Sequence, residues 1–103
     1  MKLNADQRAE FDREGYLFFP GLFTPEEANL LKAEADNVYA LQREEVWRET
    51  SGVARTAFAA HTYNEGFRRL GAHPRLIEPV SDLLAGDVYM HQFKVNAKAA
   101  FDG

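Results

Sequence analysis

Apolar residues along this chain fall at helical intervals through its middle and alternate strictly near its C-terminal end. At the start, Asn4 with Gln7 three positions on makes a capping-box pattern. That pattern predicts a short helix over 5–14, ended by Gly15 in the left-handed conformation, with Leu3 and Phe11 supplying its apolar contacts. The run Tyr16-Leu17-Phe18-Phe19 predicts a short buried strand closed by Pro20-Gly21. Thr24-Pro25-Glu26-Glu27 is a sharper signal: Thr24 caps, Pro25 opens the helix and Glu27 completes a second capping box. Ala28, Leu31, Ala35, Val38 and Leu41 keep helical spacing, predicting a helix from Pro25 to about Gln42, with Trp47 as its far limit. Glu49 to Gly52 reads as loop, and Val53 to His61 as a strand or an ordered loop. Asn64 to Leu70 predicts a short helix ended by Gly71. Leu76, Ile77, Val80, Leu83 and Leu84 predict another, opened by His73-Pro74 and ended by Gly86, with Pro79 as a late first turn or a kink.

The terminal stretch, Asp87 to Gly103, changes period. Val88 to Val95 predicts a strand with Tyr89, His91, Phe93 and Val95 on one face. Val88, Met90, Gln92, Lys94, Asn96 and Lys98 fall on the other. Gln92, Lys94, Asn96 and Lys98 thus form a row of amides and ammonium groups at period two. Such a row can hold a small acidic molecule, lysine supplying charge and the amides directed hydrogen bonds. It can equally be the wet side of an edge strand studded with lysine. The strand pattern alone leaves both readings open.

Composition narrows the class. With 103 residues, 46% hydrophobic and 27% charged, the chain is expected to form one globular domain over 1–103. The pattern of helices followed by strands predicts an α+β fold. A net charge of -4 without a basic block argues against nucleic-acid binding. No apolar run approaches the roughly 20 residues that span a bilayer, and the N-terminus lacks the apolar core of a signal peptide. A cytoplasmic location with no membrane partner is the resulting expectation. The absence of cysteine excludes disulfides and thiolate metal sites.

Motifs that carry chemistry are sparse. The residues two after His61, His73 and His91 are Tyr63, Arg75 and Phe93, so the His-x-Asp or His-x-Glu start of a two-histidine, one-carboxylate iron site is missing. Gly-x-Gly and Gly-x-Ser-x-Gly do not occur. Each histidine alone reads as a structural residue, and Arg55 alone reads as a surface or ion-paired side chain. No catalytic residue and no metal ligand is assigned from these residues.

The order of parts is more informative. An opening helix leads to Glu14-Gly-Tyr-Leu-Phe-Phe-Pro-Gly-Leu-Phe-Thr-Pro-Glu-Glu27 and a long helix. His73-Pro-Arg-Leu76 and Val80-Ser-Asp-Leu-Leu-Ala-Gly86 follow, then Val88-Tyr-Met-His-Gln-Phe-Lys-Val-Asn-Ala-Lys98. This order resembles the amino-terminal half of the phytanoyl-CoA dioxygenase family, and within it the ectoine hydroxylase-like branch. The resemblance implies an Fe(II)- and 2-oxoglutarate-dependent dioxygenase that hydroxylates a small-molecule substrate on a double-stranded β-helix, a cupin-like jelly roll. It implies that Asn96 and Lys98 line the 2-oxoglutarate pocket, that Gln92 and Lys94 face substrate, and that Arg55 joins them. Lys94 stands where the branch tends to have arginine; it keeps the charge and loses bidentate geometry. The family's His-x-Asp and its distal histidine have no counterpart in this sequence. The chain is therefore expected to be the N-terminal helices and first strands of an incomplete barrel, inactive alone. The alternative is a non-enzymatic interaction module, homo-oligomeric through its C-terminal edge strand.

Overall fold

The computed structural model describes residues 2–100. Four helices, α1 (Ala5–Glu14), α2 (Pro25–Tyr39), α3 (Glu65–Gly71) and α4 (Pro74–Leu84), pack with three short strands, β1 (Val46–Arg48), β2 (Ala54–Phe58) and β3 (Lys94–Asn96). The fold is α+β, as its pattern predicts, and the sheet is antiparallel in the order β1-β2-β3.

Local sequence explains where the helices begin. Asn4 accepts from the Gln7 N–H while the Gln7 side chain accepts from the Asn4 N–H, and Thr24 and Glu27 repeat the arrangement on α2. Asn64 caps α3 by accepting from Phe67 N–H, and His73 caps α4 through Nδ1, which accepts from Arg75 N–H. Gly15 ends α1 at φ 82°, a conformation that costs an L side chain energy. On α4 the left-handed residue is Ala85, at φ 57°, one position before the expected Gly86.

The core lies between the sheet and two helices. Val38 of α2, Val46 of β1, Ala57 of β2, Ala60 and Phe67 of α3 form one buried cluster. Leu31, Ala35, Tyr39, Tyr63, Leu70, Phe93 and Val95 close around it. Ion pairs hold the remaining helices. Asp82 of α4 accepts from Leu3 N–H at 3.0 Å and pairs with Arg8 of α1. Arg75 of α4 donates to Glu27 at 2.7 Å and to the Leu22 carbonyl at 3.1 Å, with its guanidinium over the Phe23 ring.

Three further expectations fail, each for a tertiary reason. Tyr16–Phe19 is not a strand and not core: Phe18 is 79% exposed, Tyr16 is exposed, and only Leu17 and Phe19 are half-buried. No neighbouring strand among the described residues pairs with its backbone. Helix α2 stops at Tyr39 rather than Gln42, and Trp47 belongs to β1. Arg48 fixes this exit by donating from Nη2 to the carbonyls of Tyr39 (2.6 Å) and Leu41 (3.2 Å), which a helix terminus leaves unsatisfied. Finally, of the predicted Val88–Val95 strand only Lys94 and Val95 are strand, in β3, which runs on to Asn96. Strand β2 ends at Phe58, and Ala59 at φ 54° turns the chain into a 3₁₀ turn over Ala60–Thr62. One further bond, Ala59 N–H to the Phe93 carbonyl at 2.8 Å, extends the pairing; residues 88–92 then have no strand beside them among the described residues. Tyr89, expected on the buried face, is 85% exposed. Phe93 and Val95 do face the core.

Candidate functional site

The β2–β3 pairing decides which side chains meet. Thr56 lies opposite Asn96, Ala57 opposite Val95 and Phe58 opposite Lys94. The bonds Ala97 N–H to Arg55 carbonyl and Ala59 N–H to Phe93 carbonyl mark the hydrogen-bonded pairs. Thr56–Asn96 and Phe58–Lys94 are therefore non-hydrogen-bonded pairs, whose Cα atoms approach to about 4.5 Å and whose side chains sit closest. With Ala57 and Val95 turned to the core, these two pairs share the opposite, open face of the sheet.

That face carries two rows. In the first, Trp47 meets Phe58 edge-on at 4.8 Å between centroids, and the Lys94 ammonium lies 5.9 Å from the Phe58 ring, within cation–π range. In the second, the Thr56 hydroxyl donates to Asn96 Oδ1 at 3.0 Å. Thr56 is only 9% exposed, whereas Lys94 and Asn96 are exposed. Beside the first row, a concavity of about 380 Å³ is lined by Phe58, His61, His91, Gln92 and Lys94.

The structure thus brings Gln92 to Lys94, and Lys94 and Asn96 to one face. Lys98 is exposed two residues beyond β3. Arg55 is set apart: strand alternation turns it away from Thr56, the register with β1 shifts beside it, and its guanidinium lies 3.8 Å from Glu49. Thr56, Phe58 and Trp47 were not singled out by the sequence. The only clue was a threonine between small and aromatic residues in Ala54-Arg-Thr-Ala-Phe58; its partner forty residues away is set by register.

The donors on this face suit a carboxylate. Lysine and amide N–H groups only donate, and the Asn96 Nδ2 has no partner among the described residues. Iron does not fit the histidines. His73 is committed to capping α4, His61 packs its ring on Phe93 at 5.0 Å between centroids, and His91 is exposed. No three His, Asp or Glu side chains converge among the described residues. The large proton-affinity shift lies elsewhere: the Arg75 guanidinium, helped by the Thr24 N–H, lowers the Glu27 carboxyl to about 2.

Comparison with known proteins follows the same lines. The family model Phytanoyl-CoA dioxygenase (PhyH) matches residues 11–103. Ectoine dioxygenase of Stutzerimonas stutzeri is 37% identical over 98 residues, covering 90% of this chain and 32% of that protein. L-proline trans-4-hydroxylase of Streptomyces griseoviridis is 32% identical over 99 residues, covering 95% of this chain and 37% of that protein. The crystal structure of EctD from S. alaskensis with 2-oxoglutarate and 5-hydroxyectoine superposes with a TM-score of 0.80 at 31% identity, over 91% of this chain and 35% of that one. A second EctD structure, with bound Fe, has the same TM-score at 33% identity. The chain spans about a third of the length of the curated relatives it matches. Among the described residues no helix is long and apolar enough to cross a membrane.

Proposed function

The chain belongs to the phytanoyl-CoA dioxygenase family, and from that premise we propose that it forms the N-terminal part of an Fe(II)/2-oxoglutarate-dependent dioxygenase that hydroxylates a small molecule. The observation that carries this reading is the donor row on the open sheet face, where Lys94 and Asn96 stand side by side opposite Phe58 and Thr56. Asn96 and Lys98 hold the cosubstrate carboxylate, and Gln92 and Lys94 face the substrate. Arg55 is the weakest member of this set, because Glu49 already engages it. Relatives named for ectoine and for L-proline support a small-molecule substrate.

The sheet is, on this reading, the first part of a double-stranded β-helix that residues 1–103 leave incomplete. Surface area supports it. A folded chain of 11.7 kDa exposes about 5,900 Å² by the usual scaling, and this one exposes 7644 Å². Its radius of gyration is 16.1 Å, against about 13 Å for an ordinary domain of this length. In the complete enzyme, iron supplies the oxidising power for C–H hydroxylation. This sequence contains no His-x-Asp or His-x-Glu to hold the metal, so we expect no turnover from these residues alone. Succinate release from 2-oxoglutarate with added Fe(II) tests this, and sustained release by the 103-residue chain would refute it.

A second reading rests on the sheet's unpaired edge. Among the described residues strand β3 pairs with β2 on one side only, and a non-enzymatic module could recruit another copy there. Light scattering separates the two: dimerisation that grows with concentration favours the module, and a strict monomer counts against it.

A further inference from the structure

We infer that Thr56 is a positioning residue that sets the orientation of the Asn96 amide toward an incoming carboxylate. The inference rests on the reading of Asn96 as a cosubstrate contact and adds a residue to it. Asparagine is ambivalent toward anions: its Nδ2 donates and its Oδ1 accepts, and a half-turn about the last side-chain bond exchanges them. An exposed asparagine on a free strand would present either end to the open face. Thr56 biases that choice. It occupies a non-hydrogen-bonded position directly opposite Asn96, where side chains are closest.

Thr56 is nearly buried, and its hydroxyl donates to Asn96 Oδ1 at 3.0 Å. Among the described residues that hydroxyl donates no other hydrogen bond. With the amide reversed the hydroxyl would accept from Nδ2, but its own proton would then lack a protein acceptor, which is costly, so the pair favours the amide rotamer that turns Oδ1 to Thr56. The Nδ2 group is then left unpartnered on the same face as Lys94. A carboxylate meeting this face finds an N–H donor beside an ammonium. Were the amide reversed, the carboxylate would meet a carbonyl oxygen and be repelled.

The test uses the ¹⁵N-labelled 103-residue chain titrated with 2-oxoglutarate at constant ionic strength, reading the Asn96 side-chain NH₂ resonances by NMR. Thr56→Val keeps the shape and removes the donor; Thr56→Ser keeps the donor. Saturable shifts are expected in the parent and, within about twofold in affinity, in Thr56→Ser, with roughly tenfold weakening in Thr56→Val. Asn96→Ala should weaken binding equally, followed through the backbone resonances of β3, and adding Thr56→Val to it should change nothing further. Unchanged affinity in Thr56→Val, or a further loss in the Asn96→Ala background, overturns the positioning role and leaves the pocket reading standing. A merely structural Thr56 would lower the thermal midpoint in Thr56→Val without that affinity pattern. Absence of any Asn96 shift in the parent overturns the pocket reading and this inference with it.

Discussion

Val38 is the side chain on which the junction of helix and sheet depends, and Val38→Ala tests that junction most directly. It is 0% exposed and sits among Val46, Ala57, Ala60 and Phe67. The substitution removes two methyl groups, about 1.6 kcal/mol of lost transfer free energy at ~0.8 kcal/mol per group. The unfilled space adds about 24 cal/mol per Å³, bringing the expected loss to roughly 2–3 kcal/mol. Domains of this size are stable by about 5–15 kcal/mol, and the large exposed surface places this chain toward the low end. A loss of that size should lower the thermal midpoint by roughly 10–20 °C. Urea unfolding followed by far-UV circular dichroism measures it, with equal m-values in parent and variant as the condition for comparing midpoints. Leu30→Ala is the internal control, on the same helix but with Leu30 69% exposed; it should change stability by no more than about 0.5 kcal/mol. If Val38→Ala costs less than about 1 kcal/mol, or no more than the control, α2 is not packed on the sheet as described.

Two further outcomes follow from particular contacts. The Glu27 carboxyl lies at about 2 in the folded chain against 4.5 as its ordinary value, first because Arg75 donates to it. A lowered folded value means stabilisation that is complete above about pH 4.5 and is lost as pH falls toward 2. The melting-temperature gap between the parent and Arg75→Ala should therefore narrow through that window, and a gap independent of pH would contradict the Glu27–Arg75 assignment. Ala85 ends α4 at φ 57°, a conformation that costs a non-glycine residue about 1 kcal/mol. Ala85→Gly should raise stability by up to about 1 kcal/mol in the same urea assay, and a clear loss would show that the left-handed cap is not formed.

Much of the helical framework was legible in the linear order. Capping is a local affair of three or four residues, so Asn4–Gln7, Thr24–Glu27, Asn64 and His73-Pro74 announce their helices without help from the rest of the chain. The period-two row was legible too, and Lys94 and Asn96 do lie on a face opposite Val95. Aromatic density misled at Tyr16–Phe19, because apolar character records what could be buried and not whether a covering element stands next to it. Helix α2 was read too long because its stop is made by Arg48, on the strand that follows.

What the sequence alone determined, then, is where helices start, which residue types carry charge and amide groups near the C-terminal end, and the family they resemble. Tertiary structure decided which of those groups meet. The pairing of Thr56 with Asn96 spans forty positions, and a slip of one residue would turn Asn96 into the core and Val95 out of it. No local preference of either segment sets that register. It is held by burying Ala57 and Val95 against α2 and α3 while Ala59 turns the chain away after Phe58. Strand pairing is a long-range bargain between burial and backbone hydrogen bonds, which is why the donor row could be seen in the sequence and its partner Thr56 could not.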